Sequence, residues 1–235
     1  MPGKEAILSQ LRGGLIVSCQ ALPNEPLHSP FIMRCMAQAA MEGGAVGIRA
    51  NSVVDVEEIL KYVNLPVIGL IKKEYPDSDV YITPTCDEVG ALVSAGAHII
   101  AMDATSRVHP GGIRLDEMFH AIKDKYPETL FMADCATFED GQRAESLGFD
   151  LIGTTLCGYT PETRDETLPN FTLMRKLAEE LNTPIVAEGG IWSPEQMREA
   201  FLQGIHCCVV GTAITRPQEI TKRYVSHIPE RKPEL

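Results

Sequence analysis

Short, uninterrupted apolar runs recur eight times along this chain, each followed by a stretch with helix start and stop signals, and this alternation constrains the fold more than any other feature. The runs fall at 14–20 (GLIVSCQ), 45–50 (AVGIRA), 67–72 (VIGLIK), 98–103 (HIIAMD), 130–134 (LFMAD), 151–154 (LIGT), 185–188 (IVAE) and 207–211 (CCVVG). A strand wet on one face alternates apolar and polar residues, whereas a continuous run needs cover on both faces. The pattern therefore predicts βα units and a parallel sheet rather than hairpins.

The intervening segments carry matching punctuation. Ser193-Pro194-Glu195-Gln196 places a cap residue, a first-turn proline and early acidic character before Met197, Ala200 and Phe201 at helical spacing, and Gly204 ends that helix. Gly43-Gly44, Gly96 and Gly148 follow helical stretches ending at Glu42, Ala95 and Leu147, where C-terminal glycine caps belong. Eight units in 235 residues leave about 29 residues each, near the minimum for a strand and its crossover helix. The expectation is one (β/α)8 barrel, a TIM barrel, over residues 1–235, with a charged, proline-broken tail fraying from about 228. An open doubly wound sheet would favour a glycine-rich turn after the first strand, and Gln20 is followed instead by Ala-Leu-Pro-Asn-Glu-Pro. The long connections 73–85 and 155–169 lie at the active-site end of such a barrel and are candidate lids.

Composition closes off other classes. With 44% hydrophobic and 23% charged residues the chain can bury a core, and its net charge of −11 without a Lys/Arg-rich run disfavours nucleic acid as a partner. No apolar run approaches the 18 or more residues of a membrane span, and Met1-Pro-Gly-Lys-Glu lacks the apolar heart of a secretory signal, so no membrane partner and a cytoplasmic location are expected. Seven cysteines form no C-x-x-C pair, and the six histidines form no H-x-H or H-E-x-x-H arrangement, so reduced thiols and no metal are expected. Cys19, Cys135, Cys207 and Cys208 lie in apolar segments and read as packing residues.

Two constellations remain. Gln20, Arg49, Lys72, Asp103, Asp134 and Glu188 end six of the runs, and charges at the ends of buried strands are costly unless paired or wet, so the set points to one common site. Glu188-Gly189-Gly190 after the seventh run and Gly211-Thr212 through Arg216 after the eighth match the place where this fold holds phosphate. There glycines let backbone N–H groups approach an anion, and Arg216 can add a charge-assisted pair. Lys72 could have its pKa lowered by burial and by Arg49, whereas Lys73 points away by strand alternation.

The segments VSCQALPNEPLH (17–28), GAVGIRAN (44–51), IGLIKKEYPDSDVYITPT (68–85), ADCATFEDG (133–141), IGTTLCGYT (152–160), VAEGGIWSPEQ (186–196) and VVGTAITRP (209–217) together resemble the N-acetylmannosamine-6-phosphate 2-epimerases. The resemblance spans about 14–216. It implies inversion at C2 of a phosphorylated N-acetyl amino sugar in sialic acid and amino sugar catabolism, without metal or cofactor, in a homodimer contacted through the helix near 218–226. It also implies Lys72 and Glu188 as catalytic acid/base residues and Gln20, Arg49, Asp134, Thr155 and Tyr159 as substrate contacts. Gly189, Gly190, Gly211, Thr212 and Arg216 would hold the phosphate. Thr212 departs from the small residue familiar there, and Cys157 replaces a familiar serine; no histidine is placed to make that thiol a nucleophile. Asp103 has no family role and reads either as a residue orienting Lys72 or as a direct contact. His28 reads either as a substrate contact or as a loop or capping histidine, and Trp192 either as a shield over the phosphate loop or as a helix-start packing residue. Two further readings stay open, a Schiff-base lyase or aldolase through Lys72 and a non-catalytic phosphosugar-binding barrel.

Overall fold

The computed structural model describes residues 3–229. Eight strands, β1 (Leu15–Cys19), β2 (Gly47–Asn51), β3 (Val67–Leu70), β4 (Ile99–Asp103), β5 (Leu130–Asp134), β6 (Leu151–Gly153), β7 (Ile185–Glu188) and β8 (Cys207–Val210), form a closed parallel barrel in sequence order, β8 returning to β1. Helix α1 (Lys4–Leu11) precedes the barrel; α2 (Pro30–Glu42), α3 (Val53–Leu60), α4 (Cys86–Ser94), α5 (Leu115–Lys125), α6 (Phe138–Leu147), α7 (Phe171–Glu180) and α8 (Pro194–Leu202) follow successive strands. The short α9 (Thr212–Thr215) and then α10 (Pro217–Val225) follow β8. The expected (β/α)8 barrel is the fold observed, and residues 230–235 of the expected tail lie outside the described residues.

Alternation along each strand divides the core into two shells. Val17, Ile48, Ile100, Phe131, Ile152 and Cys208 face the helices, while Ile16, Ile68, Leu70, Ile99, Met132, Leu151, Val186 and Val209 fill the barrel, closed at its N-terminal end by Ile7 and Leu11 of α1. The helix signals are read as expected at Ser193, whose side chain caps α8 in a capping box with Gln196, and at Gly148, which ends α6 in the left-handed region. Cys19, Cys135, Cys207 and Cys208 are buried, and all seven cysteines are free thiols.

One strand is shorter than its apolar run. β3 stops at Leu70 because the chain turns back on itself: Lys72 pairs with Ile82 in an isolated antiparallel bridge, and the Thr83 amide donates to the Ile71 carbonyl at 2.7 Å. The connection 71–85 is pinned rather than loose. Lys73 Nζ donates to Glu88 Oε1 (2.8 Å), away from the barrel axis as strand alternation requires, and Ser78 Oγ donates to the Val108 carbonyl (2.7 Å). The connection after β6 is likewise braced, the Gly158 amide donating to Thr163 Oγ1 at 2.9 Å. Both connections form walls of the barrel mouth.

The inner layer nearest the mouth depends on an absent side chain. A Cβ on Gly153 would lie 2.4 Å from Met132 Cε and 2.9 Å from Thr155 Oγ1. Gly153→Ala is expected to destabilise the barrel by about 1–3 kcal/mol, as overpacking does, measured as a lower urea midpoint at unchanged m-value.

Candidate active site

Continuing the inner parity of each strand by one position beyond the apolar layers brings Ser18 (after Ile16), Lys72 (after Leu70), Asp134 (after Met132), Glu188 (after Val186) and Gly211 (after Val209) to the mouth of the barrel. On β2 the inner residue is Arg49, between outward-facing Ile48 and Ala50. These ends surround a cavity open to solvent, lined by Gln20, Arg49, Lys72, Thr155, Glu188 and Arg216 among others.

Arg49 lies under the cavity floor, 1% exposed, and reaches across the barrel axis. Its Nη1 and Nη2 donate to the two oxygens of Asp134 at 3.1 and 2.6 Å, and Nη1 stands 3.0 Å from Glu188 Oε2. This bidentate fork is the geometry in which a guanidinium neutralises a buried carboxylate, and Asp134 is wholly buried. Arg49 itself stays charged: burial disfavours its cation, but Asp134 and Glu188 outweigh that. Burial, reinforced by Asp134 and opposed by Arg49 and Lys72, pushes the Glu188 carboxyl up to about 7. Thr155 Oγ1 donates to Asp134 Oδ1 at 2.6 Å and lies 3.3 Å from Glu188 Oε2. A hydroxyl has one proton, so Thr155 accepts from Glu188 when that carboxyl is protonated.

Lys72 enters from the opposite wall, since β3 and β7 are four strands apart in an eight-stranded barrel. Its amine is open to the cavity water yet surrounded by protein on its other sides. That desolvation, with Arg49 and Arg216 as like charges, lowers its pKa, against the pull of Glu188 and Asp134. Lysine and glutamate are thus moved towards each other from their ordinary values, the pattern by which one site holds both an acid and a base.

The other end of the cavity is built from glycines and one paired arginine. Gly189 and Gly190 adopt φ of 112° and 70°, and a Cβ on Gly190 would lie 2.4 Å from Leu168 Cβ, so this turn requires glycine. The amides of Gly190, Ile191 and Gly211 have no hydrogen-bond partner among the described residues. Thr212 opens α9 at the same wall, and Trp192 lines it with Arg223 of α10 over its ring at 4.7 Å. Arg216 Nε donates to Glu25 Oε1 at 2.8 Å, and its Nη2 donates to the same oxygen, while Glu25 Oε2 accepts from the Leu22 amide at 2.6 Å.

A family profile described as "Putative N-acetylmannosamine-6-phosphate epimerase" matches residues 33–230. The chain belongs to this N-acetylmannosamine-6-phosphate epimerase family. A relative from Caldanaerobacter subterraneus subsp. tengcongensis, named "Putative N-acetylmannosamine-6-phosphate 2-epimerase", is 54% identical over 226 residues, covering 96% of this chain and 95% of its own length. One of the same name from Clostridioides difficile is 51% identical over 222 residues, covering 94% and 99%. The solved structure of the N-acetylmannosamine-6-phosphate 2-epimerase from Clostridium perfringens aligns with a TM-score of 0.92 at 45% identity, over 97% of this chain and 99% of that one.

Within this epimerase-family barrel, the cavity brings together Gln20, Arg49, Lys72, Thr155, Glu188, Gly189, Gly190, Gly211, Thr212 and Arg216, with Tyr159 exposed at its rim. Asp134 is the exception among the expected contacts: it is closed off beneath Arg49 and Thr155 and does not line the cavity. Asp103 neither orients Lys72 nor reaches the cavity. Its carboxylate accepts from the Thr105 amide (2.9 Å), Thr105 Oγ1 (2.7 Å) and Arg107, a cation four residues on that also donates to the Asp79 carbonyl (3.0 Å). His28 is a loop histidine, its Nδ1 3.0 Å from the Ala21 carbonyl. Cys157 is buried outside the cavity with its thiol pushed up by desolvation, which keeps it protonated. Three polar cavity residues escaped the sequence reading: Ser18, which strand alternation could have found, and Glu25 and Tyr81, which sit on connections with no periodicity to place them. Among the described residues no helix is long and apolar enough to cross a membrane, and no three His, Cys, Asp or Glu side chains are grouped to hold a metal.

Arg49→Met leaves two buried carboxylates without their cation, so a loss of about 3–5 kcal/mol in unfolding free energy is expected. Glu188, already raised to about 7, then binds its proton still more tightly folded than unfolded, so stability falls as pH rises above the ordinary carboxylate range. Urea unfolding of the variant should show a larger deficit at pH 8 than at pH 5.

Proposed function

We propose that this protein inverts C2 of N-acetyl-D-mannosamine 6-phosphate to give N-acetyl-D-glucosamine 6-phosphate, the reaction in the names of its relatives. The observation that carries this reading is the pairing of Lys72 and Glu188 on opposite walls of one cavity, the amine tuned down and the carboxyl tuned up. Inversion at a carbon next to a carbonyl needs a proton taken from one face and returned to the other, and C1 is a carbonyl only in the open-chain sugar. A carboxyl raised to about 7 and an amine lowered from its ordinary value, on facing strands, suit that demand.

The roles follow from position. Lys72 in its neutral form takes the C2 proton of the mannosamine epimer, and the developing enolate oxygen at C1 is met by the positive field of Arg49. Glu188, protonated near neutral pH, returns a proton to the opposite face, and Thr155 holds its carboxyl in place. Ring opening precedes this step and uses the same acid/base pair. Asp134 acts through Arg49 and Thr155 rather than on the sugar, while Gln20 and Tyr159 contact the open-chain sugar and its N-acyl group. The phosphate is held by the amides of Gly190, Ile191 and Gly211, the Gly189 turn, Thr212 and Arg216. The reaction needs no redox step and no cofactor. The nearest competing use of the site is a Schiff base on Lys72, which would leave a borohydride-reducible adduct that proton transfer does not form.

The protein is further read as a cytoplasmic homodimer joined through α10. That helix buries none of its residues in the monomer and presents Tyr224, 76% exposed, and Val225 to solvent. Sedimentation should give twice the 25.8 kDa chain mass.

Lys72→Ala and Glu188→Gln are expected to lower kcat by about 10²–10⁴-fold while the protein remains folded. Arg216→Ala should act mainly on KM for the 6-phosphate. The test is turnover of N-acetylmannosamine 6-phosphate by purified wild type and variants; wild-type rates in both Lys72→Ala and Glu188→Gln would overturn the mechanism. The wild-type kcat/KM profile should break near pH 7, and that break should vanish in Glu188→Gln.

A further inference from the structure

Among the described residues only two that are not glycine hold a positive φ, Ser52 at 83° and Thr83 at 46°, and both sit on the segments that hold Lys72. Ser52 donates its amide to the Leu70 carbonyl (2.9 Å), and Asn51 beside it accepts the Lys72 amide on Oδ1 (2.8 Å). Thr83 is the more costly of the two: it is β-branched and followed by Pro84, two reasons to avoid the left-handed region, and it is fully buried. Glycine would adopt this φ without strain. What threonine adds is a hydroxyl with both of its bonding roles in use. Thr83 Oγ1 accepts from the Ile71 amide (3.2 Å) and donates to the Ala101 carbonyl of β4 (2.6 Å), while its amide donates to Ile71. The backbone of Ile71, the residue before Lys72, is thus tied to the neighbouring strand through one side chain. Backbone strain of this kind persists where surrounding structure over-determines it, and it concentrates at sites of function.

We propose that Thr83 is a positioning residue for Lys72: its hydroxyl bridges Ile71 to β4 and so sets the direction in which the Lys72 amine enters the cavity. The inference rests on Lys72 being the acid/base of the proposed reaction. Thr83 touches neither the cavity nor the sugar, so its effect is on the chemical step and not on binding.

The test compares Thr83→Ser, Thr83→Val and Thr83→Gly with wild type and Lys72→Ala, reading kcat, KM and the pH profile on N-acetylmannosamine 6-phosphate, with folding followed by circular dichroism. Serine keeps the hydroxyl and should hold kcat within about threefold, while valine and glycine lose it and should lower kcat about 10–100-fold with KM nearly unchanged. Glycine relieves the backbone strain and serves as the folded variant lacking the hydroxyl should valine fail to fold. In the variants without the hydroxyl the amine is freed towards solvent and away from Arg49, so the limb of kcat/KM that reports Lys72 should move to higher pH. A merely structural role would lower stability and leave kcat per folded molecule and that limb where they are. Wild-type kcat in folded Thr83→Gly, with Lys72→Ala inactive, overturns the positioning role alone. Wild-type kcat in Lys72→Ala overturns the reading of Lys72 and this inference with it.

Discussion

Arg49 is the group around which the mouth of this barrel is arranged. A guanidinium buried to 1% must be neutralised where it lies, and it is, by Asp134 on one side and Glu188 on the other. Such an arrangement adds little net stability, since desolvating three charges costs about as much as their attraction returns. What it does is hold two carboxylates in different surroundings. Asp134 receives the bidentate fork and the short Thr155 bond, whereas Glu188 meets one guanidinium nitrogen and the Thr155 hydroxyl at 3.3 Å and is pushed up by its own burial and by Asp134. Gly153 belongs to the same arrangement, because a side chain there would strike Met132 and Thr155.

The proposed chemistry uses this asymmetry. A lysine on β3 and a glutamate on β7 face one another across the cavity, each moved off its ordinary pKa by the same surroundings. At the far end, unpaired amides around Gly190 and Gly211 suit an anion, and Glu25 holds the guanidinium of Arg216 in place. The charged groups named around the cavity are three cations, Arg49, Lys72 and Arg216, and three carboxylates, Asp134, Glu188 and Glu25. With Glu188 protonated and Lys72 neutral, as the proposed chemistry requires, these charges balance, so a phosphorylated ligand meets no net negative field at the cavity in a chain of net charge −11.

The barrel was legible because continuous apolar runs and glycine-capped helices are local signals, and strand alternation then carried much of the site. Asp103 and Asp134 mark where such reading ends. They sit side by side on β4 and β5, with the same parity and the same depth. Arg107, four residues beyond Asp103, captures the first, and Arg49 from across the axis captures the second. Which cation reaches which carboxylate depends on side-chain direction in three dimensions, and both carboxylates end buried. The connection 71–85 escaped for a related reason: its pairing back onto Lys72 is held by single bonds from Asn51 and Thr83, not by a period. Glu25 was likewise invisible, since its partner Arg216 lies at the other end of the chain.

The most direct test of the central claim follows the C2 hydrogen itself. Proton NMR of the purified protein with N-acetylmannosamine 6-phosphate in deuterated water, with no metal or cofactor added, should show N-acetylglucosamine 6-phosphate appearing with deuterium at C2, and no such product with Lys72→Ala. Saturable binding of the sugar phosphate with C2 hydrogen retained and no epimer formed would contradict the account, leaving a barrel that binds a phosphosugar without acting on it.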